Sequence, residues 1–526
     1  MSSQPADKTR WWTLAMATSA TFMLILDVTV VNIALPQLHT SLGATFTDMQ
    51  WVLDAYTVTL AAFLLTGGSL ADRLGRKRLF NVGLVIFTLA SLAAGSAQSI
   101  LALKIARAVQ GTGAAVLFAV APALIGQEFR GKERGMAFGL FGGIIGLALA
   151  LGPLVGGVLA GMLSWRWIFL VNVPIGVVVI AISVARLRES RSPVDHGIDW
   201  LGMVTFTAAL ALLVFGILRG EALGWASAPI LELLGGSVVM LIVFVAIQQR
   251  RRERAMLDLT LFRISTFSAV CLATLISNAT SLAAIFLEVT YLQNVLGYSP
   301  LAAGIRLLPL TLTLFVVAAM TGPAVNKVSP GVLLGASIGL IAAGMGLILL
   351  IEPGSSWTAL LPSMIVMGVG MGLFNPPRAA VTIGVVEPAR GGMASGMGET
   401  FQQVGVAVGI AAFGALFHHR VVDAFSSSPL AARLGERTAE LAHAAATGAP
   451  ATTALDPGVM QQVTELSRTV YVHGFTGVMG LCGIVCAVGA VIAFLFIRRS
   501  DLHESAVGEP DAAKPVASVD AADVPA

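Results

Sequence analysis

Four acids, Asp27, Asp54, Glu288 and Glu399, and one arginine, Arg107, stand inside apolar runs of helical length. A charge at the centre of a lipid bilayer costs about 2.5–3.5 kcal/mol on insertion scales, so each of them requires a partner or a task. The chemistry open to an isolated carboxyl in such a place is reversible protonation or attraction of a cation. Asp27 lies nine residues before the far end of its run, about 13 Å at the helical rise. Arg107 lies seven residues from the same side, about 10 Å. Equal depth lets the two share a cavity, with Arg107 lowering the proton affinity of Asp27 and burial raising it. The competing reading is a static ion pair that holds two helices together. Asp54 is three residues past Trp51, about 5 Å from the surface, and reads as a wetted interfacial carboxylate. Glu288 precedes Val295 by seven residues, and Glu399 shares a helical face with Gln402 and Gln403, so either can titrate or draw a cation. Arg306, five residues into its run, can snorkel outward.

The elements that must position these groups follow from composition. Hydrophobic residues are 56% of the 526, and with the 56 glycines the apolar share is about two-thirds, against roughly 45–50% for a soluble domain. Charged residues are only 12%. The chain is therefore an all-α integral membrane protein. Apolar runs bounded by charge, Gly or Pro place helices near 12–36, 50–71, 79–98, 100–126, 135–161, 167–186, 200–217 and 229–248. Six more fall near 265–295, 301–322, 331–351, 357–382, 392–417 and 471–497, fourteen in all. The polar start running into Trp11 and Trp12 has no small-residue cleavage site, so the first run is a retained span rather than a signal peptide. Cys271, Cys482 and Cys486 all sit in apolar runs and suit packing, not a disulfide framework or zinc.

Lysine and arginine fix the orientation. Of the 32, twenty-three lie in one alternating set of loops and ends, seven in the other, and Arg107 and Arg306 within helices. That bias puts both termini in the cytoplasm of a multi-pass protein of the cell inner (plasma) membrane. The densest basic loop, Gly-Ser-Leu-Ala-Asp-Arg-Leu-Gly-Arg-Lys from Gly68 to Lys77, joins the second and third helices. Gly68 and Gly75 permit a tight turn, Arg73, Arg76 and Lys77 anchor it, and Asp72 is placed to accept bonds from a neighbouring helix N-terminus. The run from Gly322 to Ser329 echoes the run from Gly68 to Gly75 at an offset of 254, and Gly392–Gly396 echoes Gly135–Gly139 at 257. Such near-equal offsets indicate a duplication, and imply two six-helix pseudo-symmetric bundles around a mid-membrane cavity with two additional helices inserted between them. The expected domains are an N-terminal half at 1–187, the inserted helices with their linkers at 188–262, and a C-terminal half at 263–500 carrying an outer loop at 419–470. A disordered tail follows at 501–526.

Helix five carries Gly152, Pro153, Gly156 and Gly157, where the proline removes a backbone bond and the glycines allow close helix contact. There is no Gly-x4-Gly-Lys-Ser/Thr, the Gly-x-Gly runs lie in membrane helices, the histidines lack metal spacing, and no basic block marks a nucleic-acid surface. His418 and His419 at a helix end read as solvated.

The Gly68–Lys77 loop resembles the signature loop between helices two and three of the major facilitator superfamily. With the segments around Asp27, Arg107 and Gly152–Gly157, and the run from Ser164 to Gly176, the chain is similar to the fourteen-span drug/proton antiporter branch of that superfamily. The likeness is dense over the first half and thinner later. It implies a proton-driven exporter, not an enzyme, that moves hydrophobic, often cationic compounds as a monomer in the bilayer, with no cofactor or metal. It also implies that Asp27 is the helix-one acid, Arg107 the helix-four arginine, Asp72 to Lys77 the gating loop, and Gly152–Gly157 the antiporter motif. The second-half loop departs from the pattern, with Asn326 in the place of Asp72, and Glu399 stands where relatives carry a neutral polar residue. Export of one endogenous metabolite, natural product or lipid is a second reading. A receptor or scaffold that moves nothing is a third, and the retained intramembrane charges argue against it.

Overall fold

The computed structural model describes residues 6–129, 131–190, 198–251, 255–447 and 456–503. The tail expected at 501–526 therefore lies, from residue 504 onward, outside the described residues. The first five helices are α1 (Ala6–Leu42), α2 (Phe46–Leu74), α3 (Arg76–Gly95), α4 (Ile100–Glu128) and α5 (Gly131–Met162). The sixth expected span is broken at Val171 into α6 (Arg166–Leu170) and α7 (Asn172–Arg186), because Pro174 has no N–H for the Leu170 carbonyl. The inserted pair is α8 (Trp200–Leu223) and α9 (Ala228–Arg251).

The second half begins with α10 (Ser265–Thr290), which ends in a wide turn where the Leu296 N–H donates to the Tyr291 carbonyl at 3.2 Å. The next span is again divided, into α11 (Pro300–Arg306) and α12 (Leu308–Lys327), and here Pro309 leaves the Ile305 carbonyl without its donor. It is followed by α13 (Pro330–Leu347), α14 (Leu361–Gly384) and α15 (Gly391–Ser426), then α16 (Ala431–Leu434), α17 (Thr438–Thr447) and α18 (Pro457–Phe496). Among the described residues twelve helices are long and apolar enough to cross a membrane, and α5 and α12, of 32 and 20 residues, add two of comparable length. The expected fourteen-helix, all-α architecture is thus present.

The expected outer loop at 419–470 is helical over much of its length. Helices α15 and α18 run into it from both sides, and with α17 they bury Val421, Phe425, Leu441 and Val463 in an extension of the C-terminal half's apolar core. His418 and His443 meet there at 3.1 Å, so His418 has a partner beyond solvent.

Close helix approach is achieved at glycine. A Cβ on Gly405 or Gly409 would fall 2.5 or 2.1 Å from a carbonyl oxygen of α10, so α15 packs on α10 backbone to backbone. The inserted pair docks on α2. Thr66 and Thr207 share a hydrogen bond of 3.2 Å, and the rings of Trp51 and Phe215 lie 5.1 Å apart. Its basic-side turn is held by buried Asp199, which accepts from Gly202 at 2.9 Å, Gln248 at 2.8 Å and Met256 at 3.3 Å.

The two halves meet at the ends that carry the basic loops. A Cβ on Gly68 of α2 would lie 2.1 Å from the Gly392 oxygen of α15, and one on Gly322 of α12 would lie 2.8 Å from the Cα of Met136 of α5. These are the two glycine pairs related by the internal repeat. One half's second helix seats on the other half's fifth, and the arrangement is reciprocal.

Candidate functional site

The basic loop is a single residue long, because Gly75 at φ 112° turns the chain directly from α2 into α3, a conformation that other residues rarely adopt. Asp72, in the last turn of α2, accepts the first free N–H groups of α15, from Gly392 at 2.9 Å and Met393 at 2.8 Å. A carboxylate at a helix N-terminus is stabilised by the orphan donors and the dipole. Arg76 holds that carboxylate in place through Nε at 2.9 Å and Nη2 at 2.6 Å, and reaches across to the Pro388 carbonyl at 2.7 Å and to Gln127 at 2.7 Å. Arg73 donates to the Ala255 carbonyl at 3.0 Å. Lys77 does not join this cluster, since its Nζ caps α7 at the Val184 carbonyl, 2.8 Å away. Glu189 completes the loop by accepting the Lys77 and Arg78 N–H groups at 3.1 Å each. The result is a latch of polar bonds between the halves at the basic end. The side chains of Asn326 and Lys327, at the corresponding place in the second half, lie outside the described set.

Asp27 and Arg107 lie together at 2.6 Å, each 1% exposed. The pair belongs to a larger network inside the N-terminal half. Asp27 also accepts from Gln110 at 2.9 Å and Asn172 at 3.0 Å. Arg107 donates to Gln110 at 2.7 Å and the Val52 carbonyl at 3.2 Å, and its guanidinium lies 4.1 Å from the centre of the Tyr56 ring. Gln110 donates in turn to Ser91 at 2.8 Å. Five helices, α1, α2, α3, α4 and α7, are thereby tied to one carboxylate. In this conformation the pair is buried from solvent, and the polar partners of both charges come from the same half.

The other acids divide clearly. Asp54 is not a free wetted carboxylate, because Arg219 of α8 folds inward to pair with it at 3.1 Å and to lie 4.7 Å from the Trp51 ring. Arg219 lies within the last turns of α8. Glu399 is buried and paired at 3.0 Å with Arg378, which sits within α14 and not in a loop. Glu288 is fully buried, and neither carboxyl oxygen has a hydrogen-bond partner among the described residues. Arg306 stays at the outer end, where it stacks 3.6 Å from the Tyr298 ring.

Helix α5 is unbroken through the Gly152–Gly157 motif. Gly152 is the contact with α1, since a Cβ there would lie 2.1 Å from Thr29 Oγ1, two residues past Asp27. Gly156 is buried and Gly157 partly so, and the side chain of Pro153 lies outside the described set. Among the described residues no three His, Cys, Asp or Glu are grouped to hold a metal ion.

Sequence reasoning did not single out Gln110, Asn172, Ser91, Gln127, Glu189 or Arg378 for these roles. Gln110 was accessible as the residue one turn beyond Arg107, on the same face. Asn172 is the one amide in the apolar run after Trp167. Nothing in the local sequence marks Ser91, whose part depends on α3 crossing α4.

Comparison with known proteins places this geometry. A family model described as Major Facilitator Superfamily matches residues 17–410. The chain is 32% identical over 412 residues to the multidrug resistance protein Stp of Mycobacterium tuberculosis, covering 78% of this chain and 76% of that protein. It is 29% identical over 505 residues to the tetracenomycin C resistance and export protein of Streptomyces glaucescens, covering 95% and 94%. In structure it is similar to the human organic anion transporter MFSD10, with a TM-score of 0.59, 13% identity and coverage of 92% of this chain and 100% of the other.

Proposed function

The chain belongs to the Major Facilitator Superfamily, and from that premise we propose that it is a proton-driven exporter of hydrophobic, often cationic, small molecules. The observation that carries this reading is the set of intramembrane charges. Asp27 with Arg107, and Glu399 with Arg378, are buried pairs whose desolvation cost is poorly repaid by stability alone. Such groups are retained where their charge state does work. The end bearing the basic loops faces the cytoplasm with both termini, so the latched conformation is shut on the cytoplasmic side. Substrate enters from the cytoplasm or inner leaflet when Asp72 releases α15. Proton uptake from outside then drives the return. One proton crossing a 100 mV potential in exchange for an uncharged substrate supplies about 2.3 kcal/mol, enough for a roughly fiftyfold gradient, whereas one-for-one exchange with a monovalent cation is electroneutral and draws on the pH difference alone.

Reconstitution into proteoliposomes tests the reading directly. Adding a cationic substrate such as ethidium to vesicles with an imposed pH gradient is expected to dissipate that gradient, and empty vesicles are not. Asp27→Asn is expected to bind ethidium yet move tenfold fewer protons per substrate. Undiminished coupling in that variant removes Asp27 from the mechanism.

A second reading, export of one natural product, is favoured by the kinship with a protein named for tetracenomycin C alone. A panel of chemically unrelated substrates separates the two, since a dedicated exporter protects against one scaffold and a multidrug exporter against several.

A further inference from the structure

We infer that Glu288 carries the transported proton in the C-terminal half, and holds it in the conformation described here. The inference rests on the exporter reading above and adds the residue on which the proton rides.

Asp27, Asp54 and Glu399 each touch an arginine at 2.6, 3.1 and 3.0 Å. Glu288 is 0% exposed, forms no ion pair, and has no donor to either oxygen among the described residues. A carboxylate cannot be held in such surroundings, and the group is therefore the neutral acid. It is not an isolated defect in packing. Thr274, Ser277 and Ser281 lie on the same face of α10 at helical spacing, all buried, and Ser281 Oγ likewise lacks a partner. Hydroxyls thus stand on the Glu288 face of α10 towards the basic end, the nearest of them two turns, about 10 Å, away. The wide turn at Tyr291–Val295 follows Glu288 directly, a feature that frequently marks functional helices.

The titratable side chains around the adjoining turn are Tyr291, Arg468 and Tyr471. None makes a hydrogen bond or ion pair with Glu288 in the structure. Its charge is therefore governed by access to water, which differs between the two open states. When the basic end opens, water enters along this face, and the Glu288 carboxyl gives its proton to that water and becomes an anion. An unpaired anion then obstructs reclosure. Closure requires a new proton or a cationic substrate beside the carboxylate, and that requirement is the exchange rule of an antiporter.

The test uses the full-length chain in proteoliposomes with ethidium as probe. In Glu288→Gln, which mimics the neutral acid, uptake driven by a pH gradient is expected to fall at least tenfold. Ethidium counterflow at uniform pH, which needs no net proton movement, is expected to survive within threefold. Glu288→Asp is expected to restore coupling with a displaced pH midpoint, and this variant decides the matter should the glutamine variant not fold. Gradient-driven uptake equal to wild type in Glu288→Gln, or an unshifted pH profile in Glu288→Asp, overturns the inference. So does loss of ethidium transport alone while gradient-driven transport of an uncharged compound such as chloramphenicol persists, which makes Glu288 a cation-recognition group. Wild type showing no gradient-driven transport of any probe sinks the exporter reading itself, a result distinct from failure at Glu288.

Discussion

Gly68→Val is expected to reduce export at least tenfold without unfolding the protein. The position is at the latch, where a Cβ would stand 2.1 Å from the Gly392 carbonyl oxygen, 2.9 Å from its carbon and 3.3 Å from the Gly396 Cα. All three are backbone atoms of α15, so no rotamer change relieves the clash. Parting the helices by the width of a methyl group also stretches the bonds from Asp72 to the Gly392 and Met393 N–H groups, now 2.9 and 2.8 Å. Each is a charge-assisted bond worth about 1.5–3 kcal/mol. Losing the equivalent of one or two shifts the closed population by about tenfold to about twenty-thousandfold, at about 1.4 kcal/mol per decade. A conformation in which α2 and α15 part at this end is spared the clash. A cysteine at Leu65, fully buried here, reports the shift, because Cys271, Cys482 and Cys486 are themselves buried. It is expected to react with a membrane-impermeant maleimide from the basic side in the Gly68→Val background, and only slowly otherwise. Gly235→Val, where a Cβ meets nothing within 4 Å, is the control and is expected to export within twofold of wild type. Protection of Leu65→Cys in both backgrounds shows that the glycine contact is not what closes this end.

The same contact shows what the sequence made legible. Helix count and order follow from apolar runs alone, because every span must satisfy its backbone internally and is long enough to be seen. The repeat at offsets of 254 and 257 pointed further, since Gly68 with Gly392 and Gly322 with Gly135–Met136 turn out to be the two reciprocal seats of the closed interface. Asp72 was placed against a helix N-terminus by its position, though not against which one. What stayed hidden depended on helices crossing. The equal depth of Asp27 and Arg107 gave their proximity, but not that Ser91, Gln110 and Asn172 would close the network. Asp54 and Arg219 are separated by 165 residues of unrelated chain, and no local pattern reveals that α8 packs on α2. Interruptions at Val171 and Leu307 were readable from Pro174 and Pro309, yet run length masked them.

The second large effect concerns the N-terminal network, and its sign depends on which partner is removed. Arg107→Met leaves the Asp27 carboxylate 1% exposed with only the Gln110 and Asn172 amides, and is expected to cost about 3–5 kcal/mol. Asp27→Asn leaves the cation in better company, since Arg107 keeps the Gln110 and Val52 oxygens and the Tyr56 ring, so about half that loss is expected. Introducing Asp27→Asn into the Arg107→Met protein removes the uncompensated charge, and the double variant is expected to be more stable than Arg107→Met alone. Thermal unfolding in detergent, read by the reactivity of the buried cysteines, measures all three against wild type. A static brace predicts that the double variant recovers transport along with stability. A proton-linked switch predicts recovered stability with transport still absent, because the neutral pair no longer distinguishes protonated from ionised states. Losses that simply add would mean that Asp27 and Arg107 do not act on one another, and that Gln110 and Asn172 alone hold the carboxylate.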